Sequence, residues 1–333
     1  MSYATEPVAR PRWRIWLDHS IPWISLAVSI LGVLMMDRSE EKGVYIAIAA
    51  AVSWIAFVMV SVLHRPRRES MPPPGRWSLL LRFGSTFANQ SLIHYALLFS
   101  APFYLEACAF TPLQCVFLLV FAVAVAIASW DPWCAWVLVH PLLGSLLLAF
   151  ASFVGWNAAL PMIGVPHHVS IWASALVVGL GIPVLNLLNG AARAWRKWSL
   201  VAGASVPALL VLGGSAAIPP APLRVVRAQI GTNVVEREPV GVASHFTGVN
   251  ELVCFTAIRA PRGLKDGLLH VWTRDGSLLH ALPVEVRGGR RAGFRTWSRQ
   301  RLSGSAAGRY RCDVITTLGQ SLGGVSVDVD GAR

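Results

Sequence analysis

Leu209-Leu210-Val211-Leu212-Gly213-Gly214-Ser215-Ala216-Ala217-Ile218-Pro219-Pro220-Ala221-Pro222-Leu223-Arg224 is where the chain changes character. Upstream lie long apolar runs with few charges. Downstream, short strand-like segments alternate with turns. Three prolines within 218–222 fix φ and favour an extended spacer. The chain therefore divides into a helical part (1–217), a Pro-rich linker (218–222) and a strand-rich part (223–333).

Of 333 residues, 54% are hydrophobic and only 14% charged. Soluble chains carry about 25% charged residues, and a membrane helix needs roughly 20 mostly apolar residues. Seven runs approach that length: 21–36, 44–63, 83–105, 113–130, 133–156, 169–188 and 200–217. The expected fold is a polytopic α-helical membrane domain of about seven transmembrane helices plus a C-terminal all-β domain. The first run is followed by Asp37-Arg38-Ser39-Glu40-Glu41, not by a small-residue cleavage site, so it reads as a span rather than a signal peptide. Arg10, Arg12 and Arg14, then Arg65, Arg67, Arg68 and Arg76, then Arg193, Arg196 and Lys197 fall on one side of a seven-span topology. By the positive-inside rule that side is cytoplasmic. The expectation is a multi-pass protein of the bacterial inner (cytoplasmic) membrane with its C-terminal domain periplasmic.

The third run is the most polar. Asn89, Gln90 and His94 lie within two turns, and Gln90 and His94 share a face at i, i+4 spacing. His140 enters the bundle from the same side, and Glu106 closes the outer end of that run. Buried polar residues of this kind either bond between helices or mark a conduit. The His167-His168 pair is too small a set to imply a metal.

The strand-rich part reads as seven short strands: 223–230, 252–258, 268–273, 278–286, 294–298, 309–316 and 324–329. Asp275-Gly276, Gly288-Gly289 and Leu318-Gly319 supply turns, and Asp266-Gly267 reads as another. Along the third strand, side chains alternate between faces. One arrangement buries Trp272 and takes His270 with it. The other turns Leu269 and Val271 inward and leaves His270, Trp272, Arg295 and Trp297 as an aromatic and basic surface. Cys254, Trp272, Tyr310 and Cys312 together resemble the immunoglobulin arrangement of an inter-sheet disulfide, a neighbouring tryptophan and a tyrosine two positions before the second cysteine. That resemblance implies a C-terminal all-β immunoglobulin-like sandwich with a Cys254–Cys312 disulfide in an oxidising periplasm. Two reduced, buried cysteines are the alternative.

A second likeness rests on His270-Val271-Trp272, Asp275-Gly276, Phe294-Arg295-Thr296-Trp297-Ser298 and Gly308-Arg309-Tyr310. This pattern resembles the bacterial domain-of-unknown-function family DUF2914, here preceded by an uncharacterised multi-helix membrane module. Phe294 and Tyr310 stand where that family usually has tryptophan. The resemblance implies an envelope location and a sandwich-like domain, and it carries no activity or catalytic residue with it.

The whole chain carries a net charge of +12. From Pro219 onward there are 16 basic and nine acidic side chains, a net of about +7. Arg290, Arg291 and Arg295 stand in the densest basic stretch, and arginine pairs well with carboxylates and phosphates. Walker, dinucleotide, G-x-S-x-G, H-E-x-x-H and C-x-x-C motifs are absent from the sequence. No enzyme, cofactor, metal or nucleic acid is expected. The expected function is a membrane-anchored periplasmic binding or assembly module. Its partners are the lipid bilayer and an anionic envelope polymer, lipid head groups or an envelope protein, met through His270, Trp272, Arg290, Arg291, Arg295 and Trp297. The alternative is a transporter or channel-like subunit that uses Asn89, Gln90, His94, Glu106 and His140.

Overall fold

A computed structural model describes residues 93–94, 96–129, 141–188, 193–302 and 307–330, with isolated helical positions at Ser20, Ala27 and Leu31. Helix α1 spans Ala96–Ala107, α2 Pro112–Ser129, α3 Pro141–Met162, α4 His167–Leu188 and α5 Arg193–Val211. Local chemistry explains where α2 begins. The Thr111 side chain accepts a hydrogen bond from the Gln114 backbone N–H at 3.4 Å, and Pro112 takes the first helical position. Such a cap satisfies a donor that the helix leaves unpaired, and proline has no N–H to lose there.

The expectation of about seven transmembrane helices is corrected. Among the described residues there are five helices, and only α2 and the His167–Val184 part of α4 are long and apolar enough to cross a membrane. The five described helices overlap the runs 83–105, 113–130, 133–156, 169–188 and 200–217, one helix to each, and the last run overstates the length of its helix. The run 200–217 is split: α5 ends at Val211, Gly213 turns with φ 107°, and Gly214–Ala217 forms a separate 3-10 turn. The runs 21–36 and 44–63 lie outside the described residues apart from Ala27 and Leu31.

Two features lock the helices together. Tyr104 of α1 donates to the Val154 carbonyl of α3 and accepts from Asn157 Nδ2 at 2.9 Å, while Ser170 of α4 donates to the Asn157 carbonyl at 3.1 Å. At the α4–α5 crossing, Gly179 and Gly203 face each other so closely that a Cβ on either would strike the other's carbonyl oxygen. Small residues give the same close approach in membrane helix pairs.

Ten strands follow where seven were expected: β1 Arg224–Gly231, β2 Asn233–Val235, β3 Glu238–Val240, β4 His245–Phe246, β5 Glu251–Arg259, β6 Lys265–Arg274, β7 Ser277–Arg287, β8 Phe294–Arg301, β9 Gly308–Thr316 and β10 Ser321–Val329. They form a β1-β5-β8 sheet, a β4-β10-β9-β6-β7 sheet and a separate β2-β3 hairpin. The two larger sheets pack as a sandwich across the Cys254–Cys312 disulfide, which joins β5 to β9. Trp272 sits opposite Cys312 in register and is fully buried. Asp275 and Gly276 both have positive φ and close the β6–β7 hairpin as a two-residue turn.

The proline segment is a packed turn, not an extended spacer: the Ala221 and Leu223 backbone N–H groups bond back to the Pro219 and Pro220 carbonyls at 2.8 Å. Ile218 and Ala221 belong to the helical core, whereas Leu223 belongs to the sandwich core. The Gln320 side chain donates to the Ile218 carbonyl at 2.7 Å, and Ser215 donates to the Leu318 carbonyl at 3.1 Å. Gln114, fully buried, donates to the Ser321 carbonyl at 2.8 Å. Arg224 pairs with Glu106 at 2.8 Å. The Asp266 carboxylate accepts from the His167 backbone N–H at 2.8 Å, so the sandwich supplies the cap of α4. One end of the sandwich is thereby seated on α1, α2, α4 and the segment after α5.

Candidate functional site

The three-stranded sheet has an outward face that register defines row by row. Ala257 of β5 lies between Arg227 of β1 and Arg295 of β8. Phe255 lies between Gln229 and Trp297, and Val253 between Gly231 and Arg299. Alternation along each strand puts these nine positions on the side away from the disulfide. Two arginines thus flank an alanine, and an aromatic row runs beside them.

The β2-β3 hairpin lies over this face. Glu238 bridges the two arginines: one oxygen accepts from Arg227 Nη1 at 2.8 Å, and the other lies 2.6 Å from Arg295 Nη2. Arg227 also donates to Gln229 Oε1 at 2.8 Å, and its guanidinium stands 5.6 Å above the Phe255 ring. Arg299 bonds Glu251 at 2.6 Å and Asn233 of the hairpin at 3.2 Å. Covered this way, Phe255 is only 1% exposed although it points out of the sandwich, while Trp297 remains 39% exposed. The arrangement is a two-arginine fork for a carboxylate or phosphate with aromatic surface alongside.

The inward face is the opposite in character. His270 and Trp272 are buried, which removes them from the exposed surface in which the sequence had grouped them with Arg295 and Trp297. They turn inward because the bulk of Trp272 fills the space beside the disulfide, and His270, two positions away, must follow. His270 Nε2 lies 2.9 Å from Thr256 Oγ1 and its Nδ1 2.9 Å from Ser298 Oγ, which also accepts from Trp272 Nε1 at 3.0 Å. Burial lowers the His270 pKa to about 4, so the ring is neutral at pH 7. Cys254, His270 and Cys312 offer sulfur and nitrogen atoms within 4.8 Å of one another. With the sulfurs bonded to each other and both ring nitrogens hydrogen-bonded, the trio offers no thiolate to a metal.

The other expected residues are dispersed. Arg290 stacks over Phe294 at 5.2 Å, and the Arg291 carbonyl accepts two bonds from Arg259. Neither joins the Arg227–Arg295 fork. His94 is buried and bonds the Ala128 carbonyl, a helix-to-helix link. Glu106 belongs to the joint with the sandwich. Asn89, Gln90 and His140 lie outside the described residues. Asp266 is a strand residue, not a turn, and burial pushes its carboxyl pKa up while the N–H groups of His167 and Gly267 pull it back. Sequence reasoning overlooked Arg227 and Glu238. The alternation of Arg227 and Gln229 with Ala228 and Ile230 carried a signal for the first, whereas only tertiary structure brings Glu238 over it.

Residues 10–251 match the model described as Family of unknown function (DUF5924), well over half the chain. The chain belongs to the DUF5924 family. Residues 265–329 match Protein of unknown function (DUF2914), in agreement with the resemblance read from the sequence. No curated protein matches. Among solved structures, Pseudomonas fluorescens alkylpurine DNA glycosylase AlkC bound to DNA containing an abasic site analog aligns with 88% of this chain and 98% of that chain at 11% identity and a TM-score of 0.25. A likeness at that level carries no argument. The DUF5924 match ends on the first residue of β5, and the DUF2914 match opens on the first residue of β6. Arg227 and Glu238 therefore come from the DUF5924 segment and Arg295, Trp297 and Arg299 from the DUF2914 segment, with Phe255 between them. The two segments share one sandwich and build the candidate face together.

Proposed function

We propose that this chain is a membrane-anchored binding module whose sandwich engages an anionic component of the bacterial envelope on the periplasmic side. The observation that carries the reading is the outward face of the three-stranded sheet, where Arg227, Arg295 and Arg299 surround Phe255 and Trp297. Membrane anchoring is supported by α2, whose Leu113, Val116, Leu119, Val120 and Val123 are all at least half exposed, and by Leu176, Leu180 and Leu187 along α4. Apolar side chains left outward on an apolar helix suit lipid. Arg193, Arg196 and Lys197 open α5 at the end away from the sandwich, which fits a cytoplasmic loop opposite a periplasmic domain. A disulfide in the sandwich fits an oxidising compartment.

The test uses the full chain in detergent micelles, immobilised and exposed to solubilised envelope. The expected result is retention of one acidic component that Arg295→Gln/Arg299→Gln loses and Arg287→Gln keeps, Arg287 being an exposed residue off this face. Equal retention by all three proteins would remove the face from the reading.

A further inference from the structure

We propose that Glu238 is a built-in stand-in for the acidic group of the ligand, and that the ligand is a carboxylate-bearing saccharide which displaces the β2-β3 hairpin from the Arg227–Arg295 fork. This rests on the binding reading above and specifies its ligand and its control.

Three observations converge. First, Arg227 and Arg295 stand on outer strands, each one strand away from Ala257, and they converge on the two oxygens of a single carboxylate. Two arginines gripping one carboxylate are a recognition device for an acid, and here the acid is supplied from within. Second, the element carrying that acid is weakly built. The hairpin has three register pairs and forms a sheet of its own, without ladder bonds to β1-β5-β8. Its two-residue turn is Glu236-Arg237, with φ 49° and 62°. That turn suits Asn-Gly, and non-glycine residues there are strained. The clasps are side-chain bonds from Glu238 and Asn233, and the hairpin leaves Val235 and Val240 about half exposed. Third, the surface beneath is apolar and aromatic. Val253 and Phe255 are almost wholly buried despite facing away from the core, and Trp297 lies beside Phe255 in register. Lifting the hairpin would enlarge the open surface beside Trp297, between Arg227, Arg295 and Arg299.

The combination selects a ligand class. The partly exposed Trp297 offers an aromatic ring on which a sugar can stack, and the fork takes a carboxylate in the geometry that Glu238 already occupies. A lipid phosphate would use the arginines and leave Trp297 unused. No bond is made or broken in the exchange: the ligand's carboxylate replaces that of Glu238, and the hairpin moves into solvent.

The experiment titrates the full chain in detergent micelles with a 1,4-linked hexuronic acid hexamer, with the neutral hexamer of the same linkage as control. Hydrogen exchange of the 233–240 amides is read alongside. The expected results are binding of the uronate and not of the neutral sugar, faster exchange in the hairpin on binding, and affinity roughly five- to tenfold tighter for Glu238→Gln, as follows from removing two half-exposed ion pairs. Trp297→Ala should weaken binding while leaving hairpin exchange in the free protein unchanged. Equal affinity of Glu238→Gln and the native chain, or a hairpin that becomes more protected on binding, overturns the stand-in and leaves the binding reading intact. Failure of both proteins to bind the uronate also overturns it. A parallel titration with anionic-lipid vesicles then decides the broader reading: binding lost in Arg295→Gln/Arg299→Gln keeps it, and no binding there or to solubilised envelope removes it.

Discussion

Val253, Phe255 and Ala257 alternate along one strand with Leu252, Cys254, Thr256 and Ile258, yet the two faces of that sheet do different work. Inward, Cys254 is covalently tied to β9, and Thr256 and Ser298 satisfy a neutral histidine and a tryptophan in a dry interior. Outward, one position along, Arg227, Arg295 and Arg299 hold acids and amides at half-exposed sites. The inward face uses covalent linkage, bulk and complete hydrogen bonding, each costly to disturb. The outward face uses partly solvated ion pairs, each cheap to exchange. Lasting structure and replaceable contacts thus sit one residue apart on the same strands.

If that division is right, the largest effect comes from the inward face. Cys254→Ala/Cys312→Ala should lower sandwich stability by about 4 kcal/mol, the chain-entropy value for a loop of this length, with a sequence separation of 58. Denaturant unfolding followed by near-ultraviolet dichroism measures it. A loss below about 1 kcal/mol would mean that the interior is held without the bond.

The next effect is one of pH. The folded His270 pKa of about 4 lies below the usual 6.5, because burial disfavours the charged ring. The unfolded chain therefore binds the proton more readily between these values. Stability is fully present above about pH 6.5 and is lost as pH falls toward about 4, by a few kcal/mol at most. Unfolding midpoints from pH 7 to pH 4 should drop more steeply for the native chain than for His270→Gln, which removes the titrating group. Parallel slopes would show that His270 is not the acid-sensitive element.

A smaller effect marks the end of the inward face. Asp266→Ala removes the cap that the sandwich gives α4 and should cost about 1 kcal/mol, with faster hydrogen exchange at the His167 amide. Unchanged exchange there would show that α4 is capped without the sandwich.

The smallest stability effect belongs to the outward face. Arg295→Gln/Arg299→Gln breaks exposed ion pairs worth about 1 kcal/mol or less in total and should shift the unfolding midpoint little while abolishing ligand retention. A large loss of stability would break the comparison, because it would make the arginines part of the scaffold.

How much of this was legible beforehand differs from residue to residue. The composition change after Ala217 announced strands: six of the seven expected segments lie within observed ones, and the first begins one residue before β1. The three short strands β2, β3 and β4 were missed, since runs of two or three residues carry no period to read. The pairing of Cys254 with Cys312 followed from a resemblance. The last apolar run looked longer than its helix because hydropathy registers apolar length, not continuity, and Gly213 interrupts a stretch that looks unbroken in composition. Asp266-Gly267 resembled a turn by residue type, yet its aspartate lies in a strand whose start is held against α4.

The sequence alone determined which side chains share a face. A strand's period of two makes Arg295, Trp297 and Arg299 companions, and His270 and Trp272 companions, whatever the fold. It also determined the excess of arginine and the apolar character of α2. Which companions turn inward was decided only by tertiary structure, because a strand's alternation is symmetric until a second sheet covers one side of it. The Glu238 bridge was likewise beyond the sequence. Its arginines stand 11 and 57 positions away, on strands that become neighbours of β5 only when the sheet forms.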